Sequence, residues 1–176
     1  MVIRIFSAPG LGGFFYDDQR AIREGAPREG FVYRGSPRTP GFSRIRMPAA
    51  TLSVGLELED GNVVWGDMMT VQYSGAGGRE PPFDPAKATR LLENQLAHRL
   101  LACDVARFRQ SLAGVFAPLE DGASVPLAVQ YGISQALLRA AAHVRGMPMA
   151  TDCPQSARCR LFGRVWTTAS RGTRKY

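Results

Sequence analysis

Apolar and polar residues alternate most clearly between positions 51 and 60. The apolar positions of this segment are Leu52, Val54, Leu56 and Leu58. A period of two is typical of a strand with one buried and one wet face. Asp60-Gly61 supplies a two-residue turn, because glycine adopts a positive φ at little cost, and the segment 62–71 returns as the partner strand. The pattern therefore predicts an antiparallel hairpin.

A second β-rich run opens the chain. Val2, Ile3, Ile5 and Phe6 predict a strand that ends at Pro9-Gly10. The following residues, 10–42, are rich in glycine, proline, arginine and aspartate, with aromatic residues between them. Since long loops in a compact domain are commonly functional, we expect ordered loops there, with one helical turn near 18–23 and the aromatic side chains packed on another surface.

Helical periodicity dominates the second half. Asp84-Pro85 is an N-cap followed by proline at the first helical position. The apolar stripe of the helix that follows consists of Leu92, Leu96 and Leu100. A second helix is predicted to begin at Asp104, and a third to occupy 126–146. Strands followed by helices predict an α+β domain, a three-stranded antiparallel meander with a helical bundle on one face.

Composition and charge narrow the class. A length of 176 residues with 45% apolar residues fits one globular domain with a tail. Of the net charge of +7, residues 151–176 hold six basic groups and one acidic group, or +5, which leaves +2 for residues 1–150. Basic groups that bind phosphates lie on one face, so this scattered tail argues against nucleic-acid binding. We expect residues 151–176 to be poorly ordered.

Other classes are excluded by what the sequence lacks. No run of 18 apolar residues is present, and the first ten residues have no signal-peptide core. We therefore expect no membrane association and a cytoplasmic protein. The three cysteines, Cys103, Cys153 and Cys159, give no disulfide framework and have no nearby histidine to complete a zinc set.

Two glycine-rich stretches follow predicted strands. Residues 10–13 lack the Lys-Ser/Thr of a phosphate-binding loop and the helix of a dinucleotide-binding one. Residues 75–79 join a polar triplet, and exposed backbone amides, the Gln72 amide, the Ser74 hydroxyl and the Arg79 guanidinium together suit a carboxylate. A flexible connection between strand and helix is the simpler interpretation of the same residues.

The histidines form no catalytic set. His98 lies off the leucine stripe and is expected at the surface. His143 is placed to interact with the C-terminal dipole of the third helix. Neither has a serine, cysteine or carboxylate at motif spacing.

The carboxylates also suggest structure rather than chemistry. Adjacent side chains diverge, so Asp17 and Asp18 are expected to pair with Arg20 or Arg23 in a salt-bridged loop. Glu57 and Glu59 share one strand face, but a hard cation needs oxygen ligands from several directions. None of these four carboxylates, at positions 17, 18, 57 and 59, is assigned to catalysis or metal binding. Reasoning from the residues alone thus finds no catalytic or metal-binding residue.

Three stretches carry a specific resemblance. They are Val71-Gln72-Tyr73-Ser74-Gly75-Ala76-Gly77-Gly78-Arg79, the run YDDQRAI at 16–22 and the run YGISQA at 131–136. Together they resemble the N-terminal domain of the methylaspartate ammonia-lyase family, in register from residue 1 to about residue 150.

The resemblance implies an enzyme of the enolase superfamily, with an N-terminal capping domain and a C-terminal (β/α) barrel. Such enzymes remove the proton beside a substrate carboxylate with Lys and His bases, while Mg²⁺ stabilises the intermediate. Ammonia then leaves 3-methylaspartate and mesaconate forms, in glutamate fermentation. The cap closes over the barrel mouth, and the aromatic residues of 10–42 become interface. Gln72, with Tyr73 and Ser74, is placed at the amino-acid substrate, and family members are typically homodimers.

The departure from the family is also clear. The capping domain is expected to comprise residues 1–150 and a non-matching basic tail residues 151–176. The Mg²⁺ ligands and the bases of the family lie in the barrel, which has no counterpart in these 176 residues, so none is carried over. We expect this chain alone to be an inactive fragment. The alternative is a stand-alone capping or assembly module that completes a barrel encoded separately.

A shifted reading frame or a truncated gene would explain why the match ends near Ala150 and basic residues increase. Sequencing the gene from codon 140 to several hundred bases beyond the stop, and translating all three frames, tests this. We expect another frame to restore the family's substrate-holding segment and a barrel. A confirmed frame and stop with no barrel downstream would contradict the hypothesis and favour the assembly module.

Overall fold

The computed structural model describes residues 1–70 and 81–152. Its strands are β1 (Val2–Asp17), β2 (Arg28–Glu29), β3 (Val32–Tyr33), β4 (Arg46–Leu58) and β5 (Val63–Met68). The main sheet is antiparallel in the order β1–β4–β5, and β2 and β3 form a separate small hairpin between β1 and β4 in the chain. The predicted three-stranded meander is therefore confirmed.

Six α-helices are described. They are α1 (Gln19–Arg23), α2 (Pro85–Leu91), α3 (Ala97–Leu101), α4 (Phe108–Val115), α5 (Leu127–Val144) and α6 (Met149–Asp152). Five π-helical residues, Leu92–Leu96, join α2 to α3. Strands followed by helices confirm the α+β class. The predicted tail lies outside the described residues except for its first two, which end α6. Within the described ranges no helix is long and apolar enough to cross a bilayer.

The β4–β5 hairpin lies where it was predicted, but its turn is one residue longer. The Leu58 N–H donates to Asn62 O at 2.8 Å, and the Gly61 N–H donates to Leu58 O at 2.9 Å, so the loop is 59–61. Gly61 has a φ of 82°, the left-handed conformation that closes a three-residue loop. The four alternating apolar residues of β4 are all buried, as expected: Leu52, Val54, Leu56 and Leu58.

The first strand continues past its predicted end. β1 pairs with β4 from Val2, opposite Leu58, to Asp17, opposite Arg46, with a register shift between Leu11 and Phe15. Residues 10–17 therefore belong to a strand, and the prediction of a loop there is wrong. An edge strand tolerates the proline and glycines that hid this pairing, because one side of its backbone needs no partner. The helical turn predicted near 18–23 is confirmed by α1.

The first long helical run begins as predicted. The Asp84 carboxylate accepts from the Ala86 N–H at 3.0 Å and from the Lys87 N–H at 3.2 Å, with Pro85 as the first helical residue. The leucines at 92, 96 and 100 are all buried. Their spacing of four residues persists through the π-helical segment.

The second helix begins later than predicted. Asp104 accepts from the Ala106 N–H at 3.0 Å, which closes a turn before α4 rather than capping it. α4 starts at Phe108, and the N-cap position is Arg107. The third predicted helix, 126–146, is confirmed by α5.

The helices pack on one face of the sheet. α5 lies on β5 and β4, α2 lies on β4, and α3 lies on β1. The core between these layers includes Leu52, Val54, Leu56, Leu92, Leu96, Leu100, Val129, Ile133, Ala136 and Leu137. On the opposite face of the sheet Phe6 stacks on Trp65, with ring centroids 6.3 Å apart. That face remains partly exposed, since Trp65 is 39% exposed.

The helix and sheet layers touch through two glycines. A Cβ built on Gly66 would lie 2.0 Å from Gly132 O, and one built on Gly132 would lie 2.8 Å from Met68 N. No side chain fits in either place, so the α5 backbone contacts the β5 backbone directly. This contact sets the distance between the two elements.

Replacing Gly132 by alanine tests the contact. The added methyl group would press on the β5 backbone, and we expect Gly132→Ala to lower the free energy of unfolding by about 1–3 kcal/mol, the usual cost of overpacking. The matched control is Gly114→Ala on α4, where a Cβ meets no atom within 4 Å. Alanine there should be neutral or stabilise by up to about 1 kcal/mol. Urea unfolding measures both, and equal effects at the two positions would contradict the analysis.

Candidate functional site

The substrate-binding residues implied by the resemblance, Gln72, Tyr73 and Ser74, lie outside the described residues, as does the run 75–79. The structure describes the chain on both sides of this segment. The chain enters this segment from β5 through Met69 and Thr70, and it continues after the segment through Pro81 toward α2.

Two hydroxyl groups link the flanks of the segment. The buried Tyr16 hydroxyl donates to Thr70 O at 2.8 Å, and Thr70 Oγ1 donates back to the Tyr16 hydroxyl at 3.0 Å. Thr70 Oγ1 also accepts from the Phe83 N–H at 3.2 Å. β1, the end of β5 and the residue before the α2 cap are therefore joined by one chain of hydrogen bonds.

Close packing surrounds the same two flanks. A Cβ on Gly12 would lie 2.8 Å from the Met69 side chain, and a Cβ on Gly41 would lie 3.0 Å from Pro82. Gly41 has a φ of 90°, which favours glycine. Neighbouring residues form a small second core in which Tyr16, Phe42 and Ala49 are buried, with Phe14 and Met47 packed against them.

A cavity of about 550 Å³ opens beside these flanks. Its wall is mainly apolar and includes Met47, Phe83, Leu91 and Val129. Two charged residues also line it, Asp84 and Lys87, 4.0 Å apart. One Asp84 carboxylate oxygen also caps α2 by accepting from the Ala86 and Lys87 N–H groups.

Asp18 organises the loop that packs on Pro82. Its carboxylate is fully buried and accepts from the Arg38 N–H at 2.5 Å, from the Thr39 N–H at 2.8 Å and from Thr39 Oγ1 at 2.6 Å. It also caps α1 by accepting from the Ala21 N–H. Burial acts to raise the pKa of Asp18, but the hydrogen bonds from Thr39, Arg38 and Ala21 together outweigh burial, so the pKa lies below its ordinary value.

Arg46 connects β4 to the small hairpin. Its guanidinium makes two hydrogen bonds of 2.6 Å to Asp17 and lies 5.0 Å from the centre of the Tyr33 ring and 5.8 Å from that of Phe15. The hydrogen bonds to Asp17 raise the pKa of Arg46. The expected pairing of Asp17 and Asp18 with Arg20 or Arg23 is therefore wrong, because Asp18 binds backbone amides and Asp17 faces β4.

Several apolar side chains of the region 10–42 are exposed. Leu11 is 74% exposed and Phe31 76%, and Phe15 and Val32 are more than half exposed. Tyr16 and Phe42 are buried instead. The region thus buries Tyr16 and Phe42 in its own small core, while other apolar side chains are exposed to solvent.

The remaining predicted candidates hold structural positions. His98 is exposed, as expected. His143 lies 2.6 Å from Asp60 and so links α5 to the β4–β5 turn, and its hydrogen bond lowers the pKa of Asp60. Glu57 pairs with Arg4, and Glu59 pairs with the terminal amino group.

Metal-ligating and nucleophilic side chains are sparse in the part of the chain that the structure describes. No group of three His, Cys, Asp or Glu residues there could hold a metal ion. Cys103 is buried, and its burial raises the pKa of the thiol.

Sequence reasoning missed Tyr16, Thr70 and Thr39. Their partners lie between 13 and 54 residues away in the chain, so no local pattern marked them. Asp18 alone carried a local signal, because an aspartate immediately before a helical turn is a common N-cap.

The fold defines the class: an α+β domain whose three-stranded antiparallel sheet carries its helices on one face. A family model described as the methylaspartate ammonia-lyase N-terminus matches residues 1–152. The chain belongs to this family, which confirms the resemblance found in the sequence.

Similarity to known proteins supports the family assignment. The methylaspartate ammonia-lyase of Haloarcula marismortui is 45% identical over 144 residues, which is 80% of this chain and 34% of the relative. The crystal structure of β-methylaspartase from Clostridium tetanomorphum, a Mg complex, superposes with a TM-score of 0.80 at 40% identity and covers 86% of this chain and 37% of that one. The Citrobacter amalonaticus enzyme, which contains (2S,3S)-3-methylaspartic acid, superposes with a TM-score of 0.81 at 38% identity over 86% of this chain and 37% of that one.

The chain thus spans about a third of the length of the relatives it matches. The matched part is the N-terminal portion, so the capping-domain fold predicted from the sequence is confirmed.

Changing Asp18 tests the polar centre of the loop. Asp18→Asn replaces an acceptor oxygen with a donor that faces N–H groups, and we expect the free energy of unfolding at pH 7 to fall by about 1–3 kcal/mol. Because the folded-state pKa of Asp18 is lowered, the carboxylate stabilises the fold above its unfolded pKa of about 3.9, and this stabilisation is lost as the pH falls through the folded pKa.

The difference between the wild type and Asp18→Asn should therefore shrink as the pH is lowered from 7 to about 3. Urea unfolding at several pH values measures it. The control is Asp121→Asn at an exposed turn, which should change stability by less than about 1 kcal/mol. A difference that stays constant with pH would show that the Asp18 charge does not stabilise the loop.

Proposed function

We propose that the chain is the capping domain of a methylaspartate ammonia-lyase, an enzyme that eliminates ammonia from 3-methylaspartate to give mesaconate. The observation that carries the proposal is the family match over residues 1–152, together with two solved relatives that superpose over 86% of the chain. One of those relatives contains the substrate (2S,3S)-3-methylaspartic acid.

Within this function Gln72, Tyr73 and Ser74 bind the substrate. A glutamine side chain donates to a carboxylate and accepts from an ammonium group, and 3-methylaspartate carries both. The resemblance favours Gln72 for the amino group. Thr70 and Phe83, on either side of the segment, are joined by a hydrogen bond, and Thr70 is also bonded to Tyr16. These bonds support a binding role, because the chain next to a binding residue must be held in a defined position.

The reacting groups belong elsewhere in the enzyme. Elimination requires a base for the proton beside the carboxylate and positive charge for the developing enolate, which Mg²⁺ supplies in enzymes of this superfamily. Among the described residues no set of side chains fits such a metal. We therefore propose that the bases and metal ligands lie in a barrel domain, and that the 176-residue chain alone is inactive.

The capping domain then contributes position and exclusion of water. Exposed apolar side chains at 11, 15 and 31 would cover the barrel mouth, where they remove water from the reacting charges. We also propose that the enzyme is cytoplasmic, acts in glutamate degradation and is a homodimer.

The test exchanges domains between relatives. Residues 1–152 replace the matching portion of the Clostridium tetanomorphum enzyme, and mesaconate formation from 3-methylaspartate with Mg²⁺ is measured. We expect the chimera to be active and the purified 176-residue chain to produce no mesaconate above a no-protein blank. In the chimera Gln72→Ala should lower kcat/KM about 10-fold or more, since it removes hydrogen bonds to charged groups.

The matched control is Gln110→Ala, an exposed glutamine of α4, which should leave kcat/KM unchanged. A folded but inactive chimera would argue against the capping role. Mesaconate produced by the chain alone would show that it contains a catalytic centre. Copurification of the chain with a separately encoded barrel would instead favour the assembly module.

A further inference from the structure

The outward side of α5 lacks the charged residues that a helix at a protein surface usually carries. Its first twelve residues, 127–138, contain no Asp, Glu, Lys, Arg or His, although 21% of the residues of the chain are charged. Leu127 is nevertheless 68% exposed and Tyr131 51%. A surface helix has charged and polar residues on the side away from the core, whereas a helix that is mainly apolar on all sides is buried. The composition of α5 therefore fits a covered helix.

The outward positions form one stripe, which consists of Leu127, Tyr131, Ser134 and Leu138. Their spacing of four, three and four residues places them on the same side of a helix with about 3.6 residues per turn. Ser134 needs no water, because its hydroxyl donates to Tyr131 O at 2.8 Å. Covering the stripe would therefore leave this hydroxyl satisfied.

Other helices of the domain have the ordinary surface composition. α2 exposes Lys87 and Arg90, and α4 exposes Arg109 and Gln110. Both helices contribute buried residues to the same core as α5, so the difference lies on their outward sides. Depletion of charge together with an exposed tyrosine is typical of the central part of an interface.

The size of the stripe indicates what covers it. Residues 127–138 span about 17 Å along the helix axis, and with a helix diameter of about 10 Å the stripe offers on the order of 200 Å². A stable complex of separate proteins buries about 800 Å² on each partner. The stripe alone is therefore too small to hold a second copy or a separate protein. A domain joined in the same chain needs less area, because the covalent link raises its effective concentration.

The relatives contain such a domain. About two thirds of their length lies outside the part that this chain matches, and the matched part is the N-terminal portion. The family match ends at residue 152, shortly after α5 ends at Val144, and α6 packs on α5. In a relative, the chain that follows the match thus starts beside this helix.

We propose that the outward stripe of α5 is a contact surface for the C-terminal portion of a methylaspartate ammonia-lyase. The inference rests on the proposed function and adds to it a specific surface, with Leu127 and Tyr131 as its exposed apolar residues. The surface of the C-terminal portion that covers the stripe is apolar and uncharged, since a charge facing the stripe would be buried without a partner.

Thiol labelling tests the contact without any catalysis. Tyr131→Cys is introduced into the full 176-residue chain and into the chimera with the Clostridium tetanomorphum enzyme, and reaction with iodoacetamide is followed at this position by peptide mapping. We expect fast labelling in the chain alone and labelling at least about tenfold slower in the chimera, because a covered thiol reacts only after local opening. The matched control is Gln110→Cys, on the outward side of α4, which should react equally fast in both proteins.

The other outcomes are also decisive. Fast labelling at position 131 in the chimera overturns the inference. Slow labelling in the 176-residue chain alone would show that a second copy or another part of this chain covers the stripe, and would overturn it as well; a dimer mass by light scattering identifies the second copy. A folded chimera without activity counts against the proposed function, whereas its labelling rates still decide whether α5 is covered.

A charge on the stripe gives a second, independent measurement. Tyr131→Lys should lower the Tm of the chimera by about 5 °C or more, because it buries an unpaired charge at the contact. In the chain alone the same change should shift the Tm by less than about 2 °C, because the side chain is exposed there. Tyr131→Phe keeps the ring, and Gln110→Lys adds a charge on α4; both should leave the Tm of the chimera near that of the wild type. Equal shifts for Tyr131→Lys in the chain and the chimera would contradict the contact.

Discussion

The direct backbone contact between α5 and β5 is the constraint on which the rest of the domain depends. Gly66 and Gly132 let a helix and a strand approach until no side chain separates them. On either side of this point small and medium residues of α5, among them Ile133, Ala136 and Ala140, are buried. A close-packed contact of this kind permits little sliding. It fixes the end of β5, and therefore the point at which the candidate substrate segment begins, relative to the helices.

A different kind of interaction holds the region between β1 and β4. The large buried apolar side chains of this described stretch are Phe42 and Ile45, which lie near Tyr16 at the end of β1. Hydrogen bonds to Asp18 and Arg46 supply the specificity that packing cannot, because each has several partners at defined directions. The loop so formed braces the flank at Pro82, while the helical layer determines the flank at Thr70.

Periodicity in the sequence predicted the elements that repeat a local pattern and missed those that depend on residues far away in the chain. The hairpin, the Asp84 cap and the leucine stripe followed directly from spacing, since each repeats a local rule. The continuation of β1 to Asp17 did not, because proline and glycine mask a strand whose pairing comes from β4. The binding of Asp18 to Thr39 spans 21 residues and leaves no local trace. The residues alone suggested only that Gln72 could help bind a carboxylate, with a flexible connection as the simpler interpretation, and its place at the amino-acid substrate came from the family resemblance.

Three carboxylates of the described residues are held in pairs with basic groups. Glu57, Asp60 and Asp17, which would otherwise be candidates for acid–base chemistry, are each paired with a cation or a histidine. The hydrogen bond from His143 lowers the pKa of Asp60. The described residues instead fix the relative positions of the helices, strands and loops through backbone contacts and short hydrogen bonds, which allow little displacement. Under the proposed function these contacts hold the described elements in place while groups of another domain carry out the reaction.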